Sequence, residues 1–166
     1  MRRTITALFA MAALAAPTLA DDPVAIGEIG FGQALLDKAE EYGQRELDYL
    51  AREMREDLER ELAGMLGENG LTLQVTILDA TPNRPTMQQM GAHGLHHSSI
   101  SIGGASLEAE LVDAGGNTLE TFSYSWRSYD IRNVVGYSRW TDARRAMNRF
   151  ASDVGESLAE RNATAS

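Results

Sequence analysis

The chain has 166 residues and carries 24 acidic against 15 basic side chains, a formal net charge of −9 at pH 7. This acidic balance argues against nucleic acid and against anionic lipid as the main partner, because both repel a negatively charged surface. The absence of cysteine excludes disulfide bonds and lipid attachment to an N-terminal cysteine.

Residues 1–20 have the organisation of a secretory signal peptide. Two arginines follow the first methionine, residues 5–16 form an apolar run, and a small-residue cleavage site ends at Ala20. The apolar run is shorter than the roughly 20 residues that a membrane-spanning helix needs. Cleavage therefore leaves no stable membrane anchor, and we predict a periplasmic or secreted bacterial protein.

Beyond the signal peptide, the sequence predicts a single domain over residues 21–160 and a disordered tail over residues 161–166. Residues 21–32 mix apolar side chains with glycine, which favours a short first strand over an extended lead-in. Between Gln33 and Gly67, apolar residues recur every three or four positions opposite a charged face. We therefore expect one long helix, packed through its apolar stripe on the sheet of the same chain.

Three later segments alternate between apolar and polar side chains, which is the period of a half-buried strand. Such strands are expected over residues 71–79, 99–113 and 118–126, and a glycine-rich hairpin turn joins the last two. In the second of them, the apolar positions change from even to odd numbers at Gly103 and Gly104. This change of phase predicts a β-bulge at the glycine pair.

A second amphipathic helix closes the domain, with Thr141 placed to cap its N-terminus and Asp142 in its first turn. The order of the elements predicts an α+β fold of two layers. We expect a mostly antiparallel sheet of three to four strands, with two helices on one face and the first helix long.

The segment of residues 82–104 contains all three histidines of the chain. Thioether together with imidazole suits copper, whereas imidazole alone suits zinc. One interpretation is therefore a copper or zinc site. Its ligands would come from Met87, Met90, His93, His96 and His97. The interpretation that we favour is an exposed polar loop whose histidines bind nothing.

Hydrolase chemistry is a weaker interpretation of the same segment. Ser98 and Ser99 adjoin the histidines, and Asp79 is near in sequence. A catalytic triad is set by three-dimensional geometry, however, and no nucleophile-elbow motif or paired-carboxylate pattern is present. We predict that the protein is not an enzyme.

Charge is distributed unevenly along the chain. Residues 37–68 hold eleven acidic and five basic side chains, whereas residues 127–149 hold six arginines and two aspartates. Arginine among aromatic residues is typical of binding hot spots, so an envelope protein or an anionic envelope polymer is a candidate partner. Pairing of the arginines with the acidic first helix is an equally good interpretation. The predicted partner-binding residues are Arg84, Arg132, Arg139 and Trp140.

Three motifs give the chain a family resemblance. They are DATPNRPT at residues 79–86, SISIGGA at residues 99–105, and WTDA at residues 140–143 with RFA shortly after it. With them the chain resembles a group of uncharacterised exported bacterial proteins and, more loosely, envelope lipoproteins with a domain of unknown function. The resemblance implies a periplasmic α+β domain and brings no catalytic residues. Because the lipidation cysteine is missing, it implies a soluble protein.

Together these observations predict a non-enzymatic binding or accessory protein of the bacterial cell envelope. It would act through residues 82–104, named the first loop, and residues 127–140, named the second loop. The alternative function is periplasmic binding of copper or zinc by the methionines and histidines of the first loop.

Overall fold

The computed structural model describes residues 23–68 and 70–165. The predicted signal peptide lies outside the described residues. None of the helices within the described ranges has the length and apolar composition needed to cross a membrane.

Four strands form one sheet in the order of the chain. They are β1 (Val24–Phe31), β2 (Leu71–Thr81), β3 (Gly104–Val112) and β4 (Thr118–Arg127). β1 pairs parallel with β2, and the two other pairs are antiparallel. A parallel pair needs a long crossover connection, and the helical segment between β1 and β2 supplies it. The predicted mostly antiparallel sheet is confirmed.

The helices lie between β1 and β2, between β2 and β3, and after β4. Between β1 and β2 are α1 (Gln33–Leu36), α2 (Ala39–Tyr42) and α3 (Gln44–Glu61). The first loop contains α4 (Met87–His93), the second loop contains a short 3-10 helix (Ile131–Val134), and α5 (Thr141–Ala165) ends the described chain.

The prediction of one continuous first helix is wrong. The chain interrupts the helix at Gly43, which has φ +90°, a left-handed conformation that glycine adopts without strain. Only α3 keeps the predicted apolar stripe, and its buried residues are Leu47, Leu50, Met54 and Leu58. The break turns the first residues of α3 towards the end of the sheet where the two loops lie.

The core lies between one face of the sheet and the pair α3 and α5. β2 contributes Leu73, Val75 and Ile77 to this core, and β3 contributes Leu107 and Leu111. Alternate residues lie on the opposite face of the sheet, and most of them are polar: Thr72, Gln74 and Thr76 on β2, and Ser106, Glu108 and Glu110 on β3. The predicted two-layer arrangement is confirmed.

No β-bulge forms at Gly103 and Gly104, because β3 begins only at Gly104. The even-numbered apolar positions are Ile100 and Ile102, and both precede the strand. The glycine pair is required for another reason. A Cβ atom on Gly104 would lie 2.3 Å from the Trp126 carbonyl oxygen, and one on Gly103 would lie 2.7 Å from the Asn83 side chain.

α5 continues through residues 161–165, the segment that the sequence predicts as a disordered tail. Arg161 in this last part of α5 lies 3.8 Å from the Glu120 carboxylate of β4. This ion pair holds the C-terminal end of α5 against β4.

Candidate binding surface on two joined loops

A capped helix stands where the sequence suggested a polar loop. The Gln89 amide donates to Thr86 Oγ1 at 3.1 Å, and the Thr86 amide donates to the Gln89 side chain at 2.9 Å. This reciprocal capping box fixes the start of α4. The side-chain nitrogen Nε2 of Gln89 donates to the Glu41 carboxylate at 2.6 Å, which attaches the first loop to α2.

A buried pair, Asn83 and Asp142, connects the first loop to the start of α5. Asn83 Nδ2 donates to Asp142 Oδ2 at 2.6 Å, and the Asp142 amide donates to Asn83 Oδ1 at 2.9 Å. The side chain of Asn83 therefore satisfies a free N–H of the first turn of α5, the role expected of Thr141. Asn83 Nδ2 also donates to the Ser101 carbonyl, and the Gly103 amide donates to Asp142 Oδ2.

Two of the predicted partner-binding arginines join the loops to each other. Arg84 Nε donates to the Tyr137 carbonyl oxygen at 2.7 Å, and its Nη1 donates to the His97 carbonyl oxygen at 3.3 Å. Arg139 Nε donates to the Pro85 carbonyl oxygen at 3.1 Å. Each arginine thus bonds to the backbone of the opposite loop.

Glu46, in the first turn of α3, holds the end of the second loop. Its carboxylate accepts a hydrogen bond from Trp140 Nε1 at 2.7 Å and a charge-assisted one from Arg139 Nη1. The Trp140 ring packs edge-on against Tyr42, with 5.7 Å between the ring centroids. Trp140 is only 3% exposed, so its ring belongs to the core and not to the surface.

A second ion pair repeats this pattern farther along the same helices. Arg144 Nε of α5 lies 2.6 Å from the Glu53 carboxylate of α3. Arginines of the basic segment therefore pair with the acidic first helix, as one of the two interpretations of the charge asymmetry expected.

The buried side chain of Tyr42 has a raised pKa that a titration can detect. Burial, reinforced by the nearby charges of Glu41 and Asp79, raises the pKa of Tyr42 to about 12. An unfolded tyrosine titrates near pH 10, so the contribution of Tyr42 to stability is fully present below pH 10. That contribution is lost as the pH rises from 10 towards 12.

We expect an ultraviolet absorbance titration of the folded protein to show one tyrosine that ionises near pH 12. The Tyr42→Phe variant should lack this late component and keep the others. A late component that persists in the variant, while circular dichroism still reports folded protein, would contradict the assignment.

The predicted metal ligands lie on α4 and on the turn that follows it. His93, His96 and His97 are exposed, and Met87 is 70% exposed on α4. The His96 and His97 rings lie 4.1 Å apart, but no group of three histidine, aspartate or glutamate residues is placed to hold a metal ion in residues 23–68 and 70–165. Copper or zinc binding stays a prediction.

His96 Nδ1 lies 2.7 Å from Ser98 Oγ, the closest approach to a catalytic dyad. Both residues are exposed on a turn. Asp79, the expected third member of a triad, lies 2.6 Å from Lys38 Nζ and 4.0 Å from Arg127 Nη2. A carboxylate that orients the imidazole is therefore not supplied by Asp79.

The second loop carries a cluster of exposed apolar side chains, residues 129–135, which we name the tip. Tyr129 is 89% exposed, Val135 71% and Ile131 41%. Arg132, the remaining predicted partner-binding residue, lies among them and is also exposed. The structure thus separates the four predicted residues. Arg132 is on the surface, and the other three hold the loops together.

Local bonds fix the shape of the tip. Asp130 caps the 3-10 helix, because the Arg132 amide donates to its Oδ1 at 2.9 Å. The Arg132 guanidinium donates to Asp130 Oδ2 at 2.7 Å. These hydrogen bonds from the side chain and amide of Arg132 lower the pKa of the Asp130 carboxyl. Val134, fully buried, attaches the tip to the body of the protein.

A cleft of about 700 Å³ lies beside the joined loops, between the start of α3 and α4. Arg45, Tyr49 and Arg52 line one wall, and the Arg52 guanidinium lies 5.3 Å from the centroid of the Tyr49 ring. Arg52 also lies 3.7 Å from Glu56, and the carboxylates of Glu46 and Asp48 line the same cleft. The two arginines therefore share the cleft with acidic side chains.

Neither periodicity nor charge pattern singles out Glu46 or the aliphatic tip residues Ile131 and Val135. Glu46 was one of many acidic residues on a charged helical face, and nothing local marks it. The tip left a weak signal: Ile131 and Val135 are apolar residues in a segment with neither strand nor helix period.

No protein-family model and no curated protein matches the chain. Solved structures do. A candidate lipoprotein from Caulobacter crescentus CB15 has 14% sequence identity and a TM-score of 0.35, with 89% of this chain and 90% of that chain covered. A minor lipoprotein from Acinetobacter baumannii has 12% identity and a TM-score of 0.39, with 85% and 94% covered.

Both structures are described as lipoproteins, the class of protein that the motifs of this chain resemble.

Proposed function

We propose that the chain is a non-enzymatic accessory protein of the bacterial cell envelope that binds a protein partner through the tip. The observation that carries the proposal is the cluster of Tyr129, Ile131 and Val135, exposed around Arg132. Large apolar side chains grouped on a surface mark interaction sites. Tyrosine and arginine are also enriched among residues that dominate binding energy.

The preorganised backbone of the tip supports the same proposal. The cap by Asp130 and the buried Val134 hold the 3-10 helix before any partner arrives. A segment that is already ordered loses less conformational entropy on binding than a free loop does. Below the tip, Arg84 and Arg139 join the two loops, and in this proposal they position the surface rather than contact the partner.

Periplasmic localisation is part of the proposal, and the signal-peptide pattern of residues 1–20 supports it. An anionic envelope polymer is the alternative partner, and it would use the cleft of Arg45 and Arg52 instead of the tip. The two partners are distinguishable because the tip and the cleft share no side chain.

The test compares recovery of a bound protein by tagged wild-type chain and by a Tyr129→Ser/Val135→Ser variant. We expect the variant to lose at least about thirtyfold in affinity, the equivalent of about 2 kcal/mol for one hot-spot residue of the two replaced. Its melting temperature should stay unchanged, because both side chains are exposed.

Met87→Ser is the matched control, since Met87 is 70% exposed but lies on α4 at the cleft. Undiminished recovery by the tip variant would refute the proposal. Loss of binding only on replacing Arg45 and Arg52 would favour the polymer instead.

A further inference from the structure

One edge of the sheet is closed by the chain's own atoms. At the start of β1, the Val24 amide donates to the Met65 carbonyl at 2.8 Å, and the Gly67 amide donates to the Val24 carbonyl at 3.1 Å. Farther along β1, the Arg55 guanidinium donates to the carbonyl oxygens of Ile26 and Gly27. A second chain cannot pair with backbone groups that are already bonded, so β1 is protected.

The other edge, β4, has no such protection. It is ten residues long, contains neither proline nor glycine, and in the described ranges no hydrogen bond reaches its outer side. The Ser128 amide donates to the Gly103 carbonyl, which places Ser128 on the side of β3. Antiparallel ladders alternate, so the even-numbered residues of β4 face β3. The odd-numbered residues 121–127 then point their N–H and C=O groups outwards, whereas the register shifts at Leu119, between the pairs Leu111–Glu120 and Val112–Thr118.

We propose that two copies of the chain pair antiparallel through their β4 edges, about a twofold axis at Ser123, to form one continuous sheet of eight strands. In this register, Ser123 pairs with its own copy and Thr121 pairs with Ser125. The outward N–H and C=O groups of residues 121–125 then find partners in the other copy.

The side chains of β4 are compatible with this self-pairing. Phe122 would lie opposite Tyr124, and both are partly exposed at the margin of the core, so pairing would cover the remaining aromatic surface. The outer face presents only small hydroxyl side chains around the axis, namely Thr121, Ser123 and Ser125.

Charge does not oppose the pairing, although the chain as a whole is acidic. The two charged residues of β4 are already engaged within their own chain. Glu120 accepts from Ser157 at 2.8 Å and lies near Arg161, and Arg127 donates to Thr81 at 3.2 Å. In the proposed register, neither residue faces a like charge. A second copy therefore fits the edge: it brings no like charge, and it places small hydroxyl side chains opposite one another and Phe122 opposite Tyr124.

Sedimentation of the full chain after removal of the signal peptide, over a concentration series, tests the proposal. The wild-type protein should sediment as a dimer. Ser123→Pro should sediment as a monomer with an unchanged circular dichroism spectrum, because it removes an outward N–H and no bond to β3. Thr121→Lys/Ser125→Lys should also be monomeric, since each lysine would face a lysine of the other copy.

The matched control is Gln74→Lys/Thr76→Lys, which adds two lysines to the same face of the sheet on β2, away from the edge. The control should remain dimeric. A wild-type protein that is monomeric at every concentration would overturn the proposal, as would an edge-lysine variant that still dimerises. If the proline variant fails to fold, the lysine variant decides.

Discussion

Replacing Asn83 by alanine should lower the free energy of unfolding by about 3 kcal/mol. Asn83 and Asp142 are both fully buried, and each donates to the other and accepts from it. The variant would leave the Asp142 carboxylate and the Asp142 amide without their main partner, in a place that water does not reach. A buried polar group left without a hydrogen-bond partner lowers the free energy of unfolding by more than the hydrogen bond contributed. The effect is largest for a charged group such as a carboxylate.

Urea unfolding of Asn83→Ala and the wild type measures this effect. Asn133→Ala is the matched control, because Asn133 is an exposed asparagine of the second loop, and its change should stay within about 0.5 kcal/mol. A loss below about 1 kcal/mol in Asn83→Ala would mean that the pair does not hold the first loop to α5.

The Glu46→Ala variant should lose about 2–4 kcal/mol of stability, the range for removing a partner from a part-buried ion pair and a buried donor. The change leaves Trp140 Nε1 buried without an acceptor and leaves Arg139 without its carboxylate. Glu46→Gln should lose less, since its amide oxygen can still accept from one of the two donors.

The stability loss expected for Glu46→Ala is measured by unfolding, followed by tryptophan fluorescence and by circular dichroism. Glu59→Ala is the control, because Glu59 is an exposed glutamate of the same helix. Equal stability of the Glu46 and Glu59 variants would contradict the role given to Glu46. The same reasoning makes Arg139 a poor target for testing partner binding, because its replacement would also disturb the fold.

Much of the architecture is predictable from the sequence because strands and helices impose different periods on apolar residues. The alternation over β2 and the stripe of α3 are clear, and both elements lie where their periods place them. The first helix illustrates what periodicity misses. The apolar stripe begins at Leu47, so it does not report on the residues before Gly43. At Gly43 a single residue with positive φ ends one helix before the next begins, and periodicity does not mark such a residue.

The glycine pair illustrates a different limit. The change of phase at Gly103 and Gly104 is real, but it marks the beginning of β3 and not a bulge. Glycine is needed at these positions because β4 and the Asn83 side chain approach closely. Contacts between residues far apart in sequence leave no local period, so the sequence shows the glycines without showing their reason.

The candidate surface is predictable in place and not in detail. Arginine and aromatic residues correctly directed attention to the two loops. Which of them point outwards depends on where Glu46 lies, 93 positions from Arg139 in sequence. The residues of the tip are exposed because the 3-10 helix turns them away from Val134, the one buried residue of that helix.

Photo-crosslinking in intact cells would show most directly whether a protein binds at the tip. A photoreactive amino acid is placed either at Val135 or at Met87. The two positions are equally exposed, at 71% and 70%, and they belong to the tip and to the cleft. We expect a discrete protein adduct from position 135 that disappears when Tyr129→Ser is added, and none from position 87. An adduct from position 87 alone, or an adduct at 135 that the Tyr129 change leaves intact, would contradict binding through the tip.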